Sequence, residues 1–381
     1  MSHIQSDKPD RKMPGVIRRK AILTSHTSQE SLVKIGPPPV GLGVAQGTGQ
    51  GLVGAGLAPS APTAENPLPL LIQPALDGVD LITWAANNQE LIEKYLLKHG
   101  GILFRNFPLK RVEDFEQFIK VVSGEPLSYH ERSSPRSQVS GNIYTSTDYP
   151  PDQSIFLHNE NSYQQSWPLR IFFFCTIPPS SGGETPIADV RKVYERINPT
   201  IRDRFRQKQV MYVRNFGDGF GLSWQTVFQT TDKEVVEQYC QKSGIECEWK
   251  SGNRLRTRRI GPAIVNHPHT GETLWFNHAT FFHPTTLEPT IRAGLTAEFE
   301  EEDLPNNTYY GDGTPIEDAV LDELRQAYAQ ETVAFPWQKG DLLMLDNMLT
   351  AHGRAPFVGP RQILTGMSTP FHSARLRDQT N

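Results

Sequence analysis

The stretch Arg170 to Ile177 reads RIFFFCTI, an apolar run rich in aromatic and β-branched residues and far too short to cross a membrane. Runs of the same kind recur at Ala263–Asn266, Thr273–Phe276 and Asp341–Leu345, each bounded by Gly, Pro or Asn. Helical periodicity is concentrated earlier. Leu81, Trp84, Ala85, Leu91, Ile92, Tyr95 and Leu96 predict one helix ended by Gly100-Gly101, followed by a short strand at Ile102-Leu103-Phe104. Phe115, Phe118, Ile119 and Val122 predict a second helix. Val190, Val193, Tyr194 and Ile197 predict a third, with Asp189 as its N-cap. Many short strands with helices grouped early favour a mainly β, antiparallel architecture with flanking helices over a doubly wound sheet. No strand-to-helix GxGxxG or P-loop is present, which removes the common nucleotide folds.

Residues 1–65 differ in kind. They carry the basic triplet Arg18-Arg19-Lys20 and, from Gly36 to Gly56, eight glycines in 21 residues. Glycine at that density makes ordering costly and offers little to bury, so a flexible Gly/Pro-rich tail is expected, followed by one domain over 66–381. The formal net charge of −4 offers no general attraction to nucleic acid or an acidic membrane. No apolar run reaches the roughly 18 residues of a spanning helix, so a cytoplasmic location is expected. Three cysteines, Cys175, Cys240 and Cys247, suggest neither a disulfide framework nor a cysteine zinc site.

The chemistry gathers in three segments. In Ser154-Ile-Phe-Leu-His158-Asn-Glu160, an imidazole and a carboxylate stand two residues apart; in extended backbone they would point to one side and could share an ion. Far along the chain, GDLLMLDNMLTAHGRAPFVGPR supplies His352 and, nine residues later, Arg361. Two histidines and one carboxylate on one face of an octahedron leave three positions open, which suits non-haem iron(II). An arginine can grip a dicarboxylate whose other end chelates the ion. Between these lies Gly182-Gly183-Glu184-Thr185-Pro186, whose Thr185 hydroxyl can bond the same carboxylate.

Taken together, HNE, GGETPIAD and GDLLMLDN with AHGRAPF resemble the taurine dioxygenase (TauD/TfdA-like) family over roughly residues 67 to 375. The resemblance implies a double-stranded β-helix, the jelly roll of clavaminate synthase-like enzymes. It also implies iron(II), 2-oxoglutarate and molecular oxygen, with His158, Glu160 and His352 on the metal and Thr185 and Arg361 on 2-oxoglutarate. The family's arginine usually lies slightly farther from the distal histidine, and Arg354 is the competing clamp. In related halogenases a small residue replaces the carboxylate, so Glu160 implies hydroxylation. The wording HNENSYQQSWPLRIFFFC and YYGDGTPIE is similar to aspartyl β-hydroxylase-like members of nonribosomal peptide biosynthesis. These act on an amino acid, often tethered to a carrier protein.

Asn277 and Arg354 are expected to touch substrate. His267, His269, His278 and His283 form a weak zinc pattern, lacking a cysteine or an HExxH helix. Arg254, Arg256, Arg258 and Arg259 read as a solvated edge strand or a carrier-docking face, and Glu300–Asp303 as a solvated helix end. The competing functions are an oxygenase for a free small acid, amine or sulfonate, and a metal- or partner-binding module without catalysis.

Overall fold

The computed structural model describes residues 32–37, 67–128, 136–217 and 221–377. At its centre the strand Ser166–Ile177 lies between Leu342–Asp346 and Gln362–His372 in an eight-stranded sheet. A second sheet of four short strands runs Thr332–Val333, Ile187–Asp189, Thr350–Arg354, Ile155–His158. Ile187 of this small sheet joins one apolar cluster with Ile171, Phe173, Leu343, Leu345 and Met367 of the large one. The two sheets thus pack face to face as a jelly roll, mainly β as expected.

The apolar run at 170–177 is continuous because both its faces are covered. Phe172 and Phe174 meet Phe115, Phe118 and Ile119 of the Val112–Ser123 helix, while Ile171, Phe173 and Cys175 face the inter-sheet core. The third expected helix forms at Val190–Arg196, with the Asp189 carboxylate accepting from the Arg191 N–H. The first expected helix is two. Asn88 leaves helical geometry at φ −129° and its side-chain amide donates to the Trp84 carbonyl, separating Leu81–Asn87 from Gln89–His99. Gly100 ends the second piece at φ +78°, where any Cβ would lie 2.4 Å from Thr350 Oγ1.

Two further expectations need correction. Val33–Gly36 is not loose tail but an edge strand, antiparallel to Leu70–Pro74. The remainder of 1–65, apart from residues 32 and 37, lies outside the described residues. Helices are also not confined to the early part, since Pro289–Glu298 and Asp318–Glu331 follow most of the strands. The latter buries Val320, Leu321, Leu324, Ala327 and Tyr328 on one stripe against the main core. A separate four-stranded sheet, Glu246–Lys250, Arg254–Gly261, Val210–Phe216 and Asn306–Tyr310, carries its own small core around Trp224, Val236 and Cys240.

Candidate active site

His158 and His352 are direct cross-strand partners in the small sheet, so antiparallel pairing alone brings residues 194 positions apart side by side. Their ring centroids are 4.5 Å apart. Glu160 arrives differently from expectation. His158 ends its strand, and Glu160 sits in the following turn, where Asn161 adopts φ 58°. The turn, not two-residue strand periodicity, swings the carboxylate in. One ligand atom from each of His158, Glu160 and His352 lies within 4.8 Å of the others, and among the described residues no other group of acids, histidines or cysteines converges this way. His352 Nε2 is 3.8 Å from Glu160 Oε2.

The late motif holds Glu160 from behind. Asn347, fully buried, accepts from the Glu160 N–H through Oδ1 at 2.7 Å. Its amide nitrogen donates to the carbonyls of Glu160 and Pro168, both at 2.9 Å. Asn159 donates in turn to the Asn347 carbonyl at 2.7 Å. Next door, Asp346 accepts from the Met348 and Leu349 N–H groups and pairs with Arg170 at 2.6 Å and His267 at 3.2 Å. The LDN triplet is thus a bracket for the HNE turn.

The donor set suits a metal ion. His158 Nδ1 lies 2.9 Å from the Phe156 carbonyl, so it carries the proton and leaves Nε2 as a lone pair. His352 Nδ1 is buried with no hydrogen-bond partner. Burial pulls the His158 imidazole below its ordinary value and His352 well below, with His158 and Arg136 adding to the push on His352. Neutral imidazoles are the ligating form. Two neutral nitrogens with one carboxylate fit iron(II), which leaves three coordination positions for other oxygens.

A short strand pair links the other two motifs. Phe357–Val358 pairs with Ser181–Gly182, and Arg361 Nε donates to the Gly183 carbonyl at 2.9 Å. Gly183 sits at φ +70°, and a Cβ there would crowd Phe357, Pro179 and the Arg361 side chain within 3.0 Å. The Arg361 Nη1 reaches Ser146 Oγ at 3.4 Å, so its hydrogen-bond partners among the described residues are neutral. Burial, the largest influence, takes this guanidinium down to about 10, with Arg354 pushing the same way. A carboxylate arriving here would meet a poorly hydrated cation. Thr185 is buried, and its Oγ1 accepts from the Trp337 indole N–H at 3.2 Å.

The two expected substrate contacts have other partners. Arg354 donates to the carbonyls of Tyr149 at 2.7 Å, Gln153 at 2.5 Å and Pro150, and so pins the 149–153 loop. Asn277 donates to the Ala263 carbonyl and accepts from the Ala279 N–H, both at 2.9 Å, closing a turn. The four histidines of the zinc pattern do not converge on one point, and three of them take separate roles. His267 supports Asp346, His283 caps the turn at Pro284–Thr286, and His278 packs beside His158 with Nδ1 2.6 Å from Ser162 Oγ. Arg136 was not singled out from sequence, yet its guanidinium contacts Glu160 Oε2 at 2.7 Å in full burial. No spacing rule marks such a residue. Asn347 lay inside a recognised motif and Trp337 three residues before it, neither with a role.

The comparisons agree with this geometry. The model of the taurine catabolism dioxygenase TauD, TfdA family matches residues 64–368. The dapdiamide synthesis protein DdaC of Enterobacter agglomerans is 39% identical over 312 residues, 79% of this chain and 95% of that protein. A clavaminate synthase-like protein of Arabidopsis thaliana is 31% identical over 320 residues, 81% and 92% of the two chains. The crystal structure of PvcB from Pseudomonas aeruginosa shares the fold, with TM-score 0.50 at 14% identity over 92% of this chain and 97% of that one. The chain belongs to the TauD/TfdA family of iron(II)- and 2-oxoglutarate-dependent oxygenases, and uses molecular oxygen as cosubstrate.

Proposed function

We propose that this oxygenase hydroxylates an aliphatic carbon of an amino acid or amino-acid-derived substrate in secondary metabolism, with the substrate tethered to a carrier protein, in the cytoplasm. The observation that carries the reading is the convergence of His158, Glu160 and His352, backed by the pairing of the 181–182 and 357–358 strands that sets Arg361 beside Gly183. The biosynthetic setting is supported by the 39% identity to a protein named for dapdiamide synthesis. Among the described residues no helix is long and apolar enough to cross a membrane.

In this reading His158, Glu160 and His352 hold the iron, and Arg361 with Thr185 holds the far carboxylate of 2-oxoglutarate. Iron bound there supplies the redox chemistry: one oxygen atom enters succinate as 2-oxoglutarate loses carbon dioxide, and the other enters a substrate C–H bond as hydroxyl. The Phe156 carbonyl fixes the His158 tautomer. Asn347 fixes the Glu160 backbone, and Phe281, stacked on the His158 ring at 4.4 Å, helps keep water from it. With iron bound, the Glu160 carboxylate would take the place a halide needs, which supports hydroxylation over halogenation.

The test is succinate release and product mass for a panel of amino acids, free and carrier-loaded. Formation of a product 16 mass units heavier from a carrier-loaded amino acid is the expected result, the mass of one inserted oxygen being about 16 by stoichiometry. Turnover of a free sulfonate, amine or small acid instead would support the second reading, which the family's taurine-catabolism description favours. Retention of full iron affinity and turnover in His352→Ala would defeat the metal assignment, and failure of the iron-loaded protein to bind 2-oxoglutarate, with no metal-to-ligand absorption band, would favour a binding module.

A further inference from the structure

Trp337 is buried, and its indole N–H points at the Thr185 hydroxyl oxygen at 3.2 Å. It stands on a rigid platform. Arg105 forms a buried ion pair with Asp341 at 2.6 Å and donates to the Pro336 carbonyl at 2.9 Å, while the Gln338 N–H bonds the same Asp341 carboxylate at 2.7 Å. The Trp337 ring packs against Phe335, with centroids 5.5 Å apart, and Phe335 lies under the Arg105 guanidinium at 5.7 Å. The indole therefore has little freedom to turn away.

A threonine hydroxyl owns one proton and two lone pairs, whereas an indole N–H can only donate. Once Trp337 has taken a lone pair, the proton of Thr185 is directed elsewhere, and it can bond only an acceptor. Thr185 follows Gly183 by two residues, and the Gly183 carbonyl is the group that receives Arg361 Nε. Thr185 and the carbonyl that holds Arg361 thus belong to one short segment.

We propose that Trp337 is a positioning residue for the cosubstrate: it fixes the Thr185 hydroxyl as a dedicated donor to the distal carboxylate of 2-oxoglutarate, and so sharpens selection for a dicarboxylic over a monocarboxylic 2-oxo acid. This rests on the cosubstrate reading of Thr185 and Arg361 given above. In this arrangement the indole need not touch the cosubstrate. It acts through the oxygen it occupies.

Trp337→Phe keeps the ring packing and deletes the N–H. In full-length, iron(II)-loaded protein without oxygen, 2-oxoglutarate binding is followed by the metal-to-ligand absorption band, and pyruvate is titrated in parallel. The expected result is a Kd for 2-oxoglutarate raised about five- to tenfold, the size of one lost hydrogen bond, with pyruvate affinity changed less than about twofold. Thr185→Val should give a similar loss, and the double variant should lose little more than Thr185→Val alone, because the two residues act in series. With oxygen and saturating 2-oxoglutarate, kcat of Trp337→Phe should stay within about twofold while KM rises, the pattern of lost binding in the ground state. A Trp337→Phe protein with unchanged Kd, equal losses for pyruvate and 2-oxoglutarate, or losses additive with Thr185→Val would each overturn the proposal. If the unsubstituted protein gave no band with 2-oxoglutarate, the cosubstrate reading itself would fail, and that outcome is distinct from the others. Unchanged melting of the variants separates these effects from misfolding.

Discussion

The corner holding the triad and the outlying sheet built on Arg254–Gly261 are both dense in charge, and they use it in opposite ways. Around the triad the ions are buried and each pair secures a motif. Arg136 meets Glu160, Arg170 meets Asp346, and Arg105 meets Asp341, with side chains at 5% exposure or less. In the outlying sheet Arg258 pairs with Glu246 and Glu248 at 2.6 and 3.1 Å, but the two acids are 65% and 44% exposed. Arg256 meets Asp303 at 2.6 Å, so the basic stretch and the acidic run at 300–303 partly neutralise one another. That pairing weakens the view of the arginine ladder as a free face for an acidic carrier. Charge placed in water costs little to break; charge placed in the core cannot be left alone.

This contrast can be broken experimentally. The largest effect belongs to Arg170→Met, which strands the Asp346 carboxylate at full burial and should cost about 3–5 kcal/mol in urea unfolding. A loss below about 1 kcal/mol would show that His267 and the two backbone N–H groups suffice for Asp346. Next is Asn347→Ala, which orphans the Glu160 N–H and two carbonyls. A loss of about 2–3 kcal/mol is expected, together with weaker iron(II) binding measured by titration. Unaltered iron affinity would mean that the bracket behind Glu160 matters only to folding.

Acid provides the third handle. Burial opposes the Asp346 charge, but Arg170 and His267 outweigh it and bring the carboxyl down to about 2. The folded value lies below that of the unfolded chain, so the unfolded state binds the proton more readily in between. The contribution is complete above about pH 4 and is lost as pH falls toward 2, on the order of 2 kcal/mol. His283 adds an earlier decline. Burial holds it at about 4, so it resists the proton that an unfolded histidine takes near 6.5, and stability should fall as pH drops from about 6.5 to 4. His283→Gln should shrink that earlier part of the unfolding profile without removing it, since burial also holds His99, His158, His278 and His352 below their ordinary value. The smallest effect is Arg258→Ala, expected within about 0.5–1 kcal/mol and to shrink further in salt.

Much of the candidate active site was legible in one dimension. HxE, the GGET turn and the late His-Gly-Arg segment carry ligand types that chemistry restricts to a few uses, and Gly183 stands where its backbone has φ +70° and a side chain would crowd Arg361. The apolar run at 170–177 identified the central strand for the same reason, since a covered strand must be apolar on both faces. Arg136 could not be read this way, because one arginine looks like another until burial places it against Glu160. Asn277 and Arg354 carried the right chemistry for binding, and only the fold revealed that each also donates to neighbouring carbonyls, while Arg354 Nε is left without a hydrogen-bond partner. The break at Asn88 is a local side-chain bond that outcompetes the helix, and the edge strand at Val33–Gly36 is a tertiary outcome, a pairing across more than 30 residues. The sequence by itself determined which atoms could ligate, because that depends on residue type. Tertiary structure decided which of those atoms remain unspent, because a hydrogen-bonding group serves whatever partner the fold brings to it first.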